Sequence, residues 1–208
     1  DWRLINLEFD GQSVATVTAI TGSNLANQLT MLHLYIHDMG GATEFPPDNS
    51  QTSIQDQLFL VDSQIQRLVS NGSSYTHGIL SAASRTAILG NLFDDSSTAS
   101  SEHMIRIAFM DRGVISNNQI QNVKATKEML TLRAPCYQAS PCGSNNYYPN
   151  MGLNSITTAQ TRKVIISDNY VKTNTYVGIQ ILAVSTTDLA SFMDFIVERN
   201  FLSYQATS

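Results

Sequence analysis

Leu25-Ala26-Asn27-Gln28-Leu29-Thr30-Met31-Leu32-His33-Leu34-Tyr35-Ile36-His37-Asp38-Met39 is the stretch on which the fold turns. Read at one spacing, Leu25, Leu29, Leu32, Ile36 and Met39 step by four, three, four and three, the rhythm of a helix that buries one stripe. Read at another, Leu32, Leu34 and Ile36 alternate with His33, Tyr35 and His37, as in a strand with one wet face. Ser23 stands where an N-cap belongs, and Gly40-Gly41 stand where a helix stops. The helical reading accounts for all five apolar positions and both ends, and it is preferred.

The same rhythm returns after Pro46-Pro47. With Ser53 as cap, Ile54, Leu58, Val61, Ile65 and Leu68 form a second stripe that ends at Asn71-Gly72. A third helix is expected from Ser81 to Phe93, through Ala82, Ala83, Ala87, Ile88 and Leu92. A last one follows Thr187 and Asp188, with Leu189, Phe192, Met193 and Ile196 on its buried side. Around these lie strand signals. Trp2 to Phe9 and Ser13 to Ile20 flank Asp10-Gly11 and read as a hairpin. Met104 to Met110 places Ile105, Ile107 and Phe109 on one face, and Met129 to Leu132, Lys163 to Ser167 and Tyr176 to Val184 follow as strands. No internal repeat or low-complexity tract is evident. The expected architecture is α+β in a single domain, 1–208: an N-terminal hairpin, two or three amphipathic helices, an antiparallel sheet and a C-terminal helix. A jelly-roll sandwich with helical insertions is the alternative.

Composition narrows the function. Of 208 residues only 14% are charged, while Ser, Thr, Asn and Gln make up about a third. Uncharged hydrogen-bonding groups cost less to desolvate than charges, which suits a surface buried against other copies or exposed outside the cell. Net charge is −5, and the twelve cations are scattered, so direct nucleic-acid binding is not expected. No apolar run reaches the length of a transmembrane helix. The chain opens on Asp1-Trp2 rather than Met and carries no signal peptide, which reads as a processed or trimmed product.

The outer face of the second expected helix bears Gln55, Gln57, Gln64 and Gln66, a candidate interface. A long connection, 134–161, holds Tyr137, Tyr147 and Tyr148, which suit contact surfaces because a tyrosine buries a large area and keeps a hydroxyl. The same connection holds Cys136 and Cys142, each after a proline and close enough for a disulfide to close the loop.

Chemistry is sparser. His33 and His37, four apart on a helix, could share a metal, but the Glu of an H-E-x-x-H motif is replaced by Leu34. Glu102-His103 at a strand edge could form an acid/base pair, and Asp94-Asp95 lacks the spaced ligands of a calcium loop. Nucleophile elbow, P-loop and dinucleotide motifs are absent. No residue is assigned a catalytic, cofactor-binding or metal-binding role. The leading expectation is therefore a structural, self-assembling subunit, such as a virion coat (capsid) protein or extracellular filament subunit, partnered by copies of itself or related subunits. Two alternatives stand beside it: a secreted hydrolase or metal-dependent enzyme using His33 and His37, and a carbohydrate- or receptor-binding module.

Overall fold

A computed structural model describes residues 1–22, 28–45, 55–69, 77–95, 103–123, 127–133, 161–173, 178–182 and 192–204. Their strands join in one 17-stranded sheet in which the described strands pair in parallel, and no helix occurs among the described residues. Each coil of chain lies directly on the previous one, so the sheet winds into a parallel β-solenoid.

Three flanks make up each coil. Flank A stacks β1 (Trp2–Ile5), β3 (Gln28–Leu32), β5 (Gln55–Val61), the later part of β7 (Ile79–Leu89), β10 (Arg112–Ser116), β13 (Thr161–Ser167) and β16 (Phe192–Glu198). Flank B stacks β2 (Glu8–Thr21), β4 (Tyr35–Phe45), β6 (Gln64–Gln66), β8 (Leu92–Asp94), β11 (Gln119–Val123), β14 (Tyr170–Thr173) and β17 (Phe201–Tyr204). Flank C takes the far ends of β2 and β4, the start of β7, then β9 (Ile105–Phe109), β12 (Leu130–Arg133) and β15 (Ile179–Leu182).

Strand alternation sends every second side chain inward, and in-register stacking turns those positions into columns. On flank B the inner column is Phe9, Ile36, Ile65, Phe93, Ile120, Val171 and Leu202. On flank A it is Leu4, Met31, Leu60, Ile88, Ile115, Ile166 and Val197. The middle members are fully or almost fully buried, and they form the core.

A sharp corner joins A to B in each coil. Asn6, His33, Asp62, Gly90, Asn117, Asp168 and Arg199 all hold positive φ there, between 46° and 69°. Gly90 does so without a Cβ penalty, and Asn and Asp tolerate the conformation better than most residues. The residue after each corner points inward. From Asn91 onward it is asparagine, and these amides form a ladder through the core. Nδ2 of Asn91 donates to Oδ1 of Asn118 at 2.9 Å, Asn118 to Asn169 at 2.9 Å and Asn169 to Asn200 at 2.8 Å. Each Oδ1 also accepts the backbone N–H of the preceding rung, and each Nδ2 reaches a carbonyl of the coil below, such as Ile88 O at 2.8 Å from Asn118. Ser63 begins the polar run, accepting from Leu34 N–H at 3.0 Å. Buried corner polar groups are thereby satisfied without water.

The α+β expectation is overturned by this arrangement, and so is the jelly-roll alternative. Over their described residues, 28–39 and 55–68, the expected helical stripes arise from two strands and a corner. Leu29 and Met31 alternate inward, the corner at His33 resets the phase, and Ile36 and Met39 face the core again. Leu32 and Val61, which completed the helical rhythm, lie half-buried on the outside of flank A. The third expected helix is β7 and β8, and the described part of the last one is β16. Asp10-Gly11 lies within β2, whose partner is β4 in parallel, so there is no hairpin. Strands at 105–109 and 130–133 are present where their patterns placed them. A repeat does exist: successive ladder bonds span 29, 28, 27, 51 and 31 residues.

Candidate functional site

Two outer surfaces follow from these columns. On flank A, one outer column begins at Arg3 and Thr30 and continues with Phe59, Ala87, Val114, Ile165 and Ile196, and the next reads Ile5, Leu32, Val61 and Leu89 before turning polar at Ser116. These are outward positions, yet from Phe59 to Ile196 in the first column and from Ile5 to Leu89 in the second they are apolar; Ile5, Ile165 and Ile196 are 44%, 36% and 50% exposed. Ion pairs flank the stripe on both sides. Arg85–Asp56 and Arg162–Asp111 lie along the edge toward flank C, and Arg199–Asp168 lies at the corner toward flank B. The arginines hold Asp56 and Asp168 below the ordinary carboxylate range.

Flank B carries the titratable groups. Glu8 and Asp10 on β2, Tyr35, His37 and Asp38 on β4, and Arg67 just after β6 come together across the first three coils. His37 is buried, with Nδ1 2.6 Å from Asp38 Oδ2 and Nε2 3.0 Å from Glu8 Oε1, and Tyr35 stacks on its ring. Arg67 grips both oxygens of Asp38, with Nε 2.9 Å from Oδ1 and Nη2 2.7 Å from Oδ2, and also donates to the Tyr35 hydroxyl at 3.2 Å. Burial opposes charge on His37, but the hydrogen bonds to Asp38 and Glu8, with Asp10 close by, outweigh it and raise the ring above its ordinary 6.5. Hydrogen bonds from Arg67 and then His37 pull Asp38 from 3.8 to about 2.

Asp10, His37 and Asp38 are the described residues that could hold a metal, since one ligand atom of each lies within 4.8 Å of the others. Their present bonding is that of an ion clasp. Both ring nitrogens of His37 face carboxylates, as an imidazolium does, and Arg67 occupies Asp38. A cation would first have to displace those protons and release Asp38 from the guanidinium.

His33 and His37 do not share a helix face. His33 forms an exposed corner near Asn6 and Asp62, at 3.3 and 3.8 Å, while His37 sits on flank B. The four glutamines separate as well. Gln55 and Gln57 are on flank A, where Gln57 Nε2 reaches Thr30 Oγ1 at 3.4 Å, and Gln64 and Gln66 are on flank B. Tyr137, Tyr147, Tyr148, Cys136, Cys142 and Glu102 lie outside the described residues. His103 is buried against Glu128 and Thr131. Reading the sequence missed Glu8, Asp10 and Arg67, which become neighbours of His37 only through coil stacking. It also missed the asparagine ladder, whose signal was Asn-Leu-Phe at 91–93, Asn-Gln-Ile at 118–120, Asn-Tyr-Val at 169–171 and Asn-Phe-Leu at 200–202.

Fold and surfaces together define a parallel β-solenoid with one outer flank that carries an apolar stripe and another that carries an ionic cluster and an aromatic pair. No protein-family model, curated protein or solved structure matches the chain. No described helix is long and apolar enough to cross a membrane.

Proposed function

We propose that this protein is a structural, self-associating subunit of an extracellular or virion-surface assembly, and that flank A is the surface by which copies meet. The observation that carries this reading is the apolar outer stripe with Phe59 and Val114 at its middle, rimmed by ion pairs. Contact surfaces between proteins have this anatomy, an apolar centre inside a polar rim, and a patch of this kind seldom stays open to water on a soluble monomer. Stacked strands about 4.8 Å apart and about five residues long give flank A a footprint of about 500 Å². That approaches the roughly 800 Å² of accessible surface each partner buries in a stable complex. The sparse charge of the chain agrees with such a role. Light scattering across a concentration series tests it: the expected mass is a defined multiple of 22.9 kDa. A monomer at every concentration rejects it.

A carbohydrate-binding flank B is the second reading. It is favoured by the parallel rings of Tyr170 and Phe201, 5.3 Å apart, beside the amides of Gln119 and Gln121. Aromatic faces pack on sugar C–H groups while amides bond hydroxyls. A glycan array with Phe201→Ser as control tests that reading.

A further inference from the structure

The two edges of flank A carry charge in a definite order. On the edge toward flank C, successive strands present Arg85 on β7, Arg112 on β10, Lys163 on β13 and Asp194 on β16. Arg85 and Arg112 are direct register partners, and the exposed Lys163 and Asp194 lie side by side between the pairs Arg162–Met193 and Val164–Phe195. Asp56 and Asp111 pair with Arg85 and Arg162, so Arg112 and Lys163 leave this edge with an excess of cation. On the edge toward flank B, the corner after β5 presents Asp62, the corner after β13 presents Asp168, and the end of β16 presents Glu198 and Arg199. Arg199 pairs with both Asp168 and Glu198, so that edge has an excess of carboxylate. Coil by coil the edges are opposite: Lys163 against Asp168 on β13, Asp194 against Arg199 on β16.

From this order we infer that flank A docks on flank A of a second copy about a two-fold axis parallel to the solenoid axis, an inference that rests on flank A being the contact surface. Such an axis lays each coil on the same coil of the other copy with strands antiparallel, and brings the flank C edge of one onto the flank B edge of the other. Lys163 then faces Asp168, Asp194 faces Arg199, and Arg112 lies beside Asn117 next to Asp168. Inside that rim Phe59 meets Val61 and Ala87 meets Leu89, a small residue over a large one. The other two-fold, along the strands, lays each edge on itself. The stripe from Phe59 to Ile196 is centred on β10, so that axis sets Arg112 against Arg112 and Arg85 against Lys163. Like charges across an interface are costly, and opposite charges fix its register.

Sedimentation equilibrium of the full chain and of charge-reversed variants tests the arrangement. The native chain is expected to be a dimer. Lys163→Asp and Asp168→Lys are each expected to weaken the dimer about tenfold or more, while an equimolar mixture of the two associates about as tightly as the native chain. In the mixed dimer both contacts again pair Asp with Lys, whereas each variant alone sets like charges together. Lys163 has a φ of 53°, which aspartate tolerates, so Lys163→Asp decides by itself where Asp168→Lys disturbs its corner. The strand-parallel axis makes the opposite forecast, because removing a cation there tightens the dimer. A native dimer that Lys163→Asp leaves unchanged or tightens overturns the inference alone. A native chain that stays monomeric overturns the flank A reading, and this inference with it.

Discussion

Flanks A and B are built from the same pleat and pack similar apolar columns inward, yet their outer columns differ, flank A being largely aliphatic and flank B a mixture of charged, amide and aromatic groups. Flank A shows water Phe59, Val114 and Ile165, whereas flank B shows Glu8, Gln64, Gln119 and Lys172 interspersed with Tyr35, Leu92, Tyr170 and Phe201. Inner columns are constrained by packing, so the two flanks resemble each other there. Outer columns answer only to what lies outside. Flank B mixes charges and amides with Leu92, Tyr170 and Phe201, whereas the apolar stripe of flank A fits the covering surface proposed for it.

The harshest way to break the comparison is to cut the joint between the flanks. Asn118 is 1% exposed; its Oδ1 accepts from both nitrogens of Asn91, and its Nδ2 donates to Ile88 O and Asn169 Oδ1. Asn118→Ala leaves several buried polar groups unpaired and is expected to cost about 3–5 kcal/mol, read as a lower urea midpoint. A loss under about 1 kcal/mol would mean that the ladder is dispensable.

A smaller effect is confined to flank B. Arg67→Met strips the partly buried Asp38 of its cation and is expected to cost about 1–2 kcal/mol, between surface and buried pairs. Flank A self-association should not change.

Proton linkage sharpens the contrast further. His37 is raised in the folded chain, so its contribution is fully present below 6.5 and is lost as pH rises through the folded value. Asp38 is depressed, so its contribution is present above 3.8 and is lost as pH falls toward about 2. The clasp is therefore strongest between those limits. Urea midpoints at pH 5.5 and pH 8 should differ in the native chain, and the difference should shrink in His37→Gln. The ladder amides do not titrate, so Asn118→Ala should keep the full pH dependence.

The smallest expected effect extends the ladder toward the N-terminus. Ser63→Asn places an amide where the other rungs have one, with Asn91 Oδ1 and Met31 O as its targets, and is expected to stabilise by about 1 kcal/mol. Destabilisation would show that the corner at Asp62 has no room for the longer side chain.

How much of this was legible in the sequence depends on spacing. Strand β9 was legible because Ile105, Ile107 and Phe109 alternate without interruption. The coils at 28–45 and 55–66 were not, because a corner residue in the middle shifts the alternation and imitates a helical period. Apolar outer residues on flank A, Leu32 and Val61, then filled the gaps in that false stripe. The repeat was hidden because coil lengths vary, with 51 residues between Asn118 and Asn169. His37 was noticed, but for the wrong companion. Its partner Glu8 and the Arg67 that holds Asp38 beside it are 29 and 30 residues away, a separation that only coil length could predict. The shortage of charge was legible, although the Gln-bearing segment proved to be split between two flanks.

The most direct measurement is the sedimentation velocity of two matched double variants beside the native chain, each checked for an unchanged β-type circular dichroism spectrum. Phe59→Asp with Val114→Asp charges the middle of flank A; Gln64→Asp with Gln119→Asp adds the same charge to flank B. The account predicts that the native chain and the flank B variant sediment as the same oligomer, while the flank A variant sediments as a monomer. A native chain that is monomeric, or a flank A variant that assembles as well as the flank B variant, would contradict it.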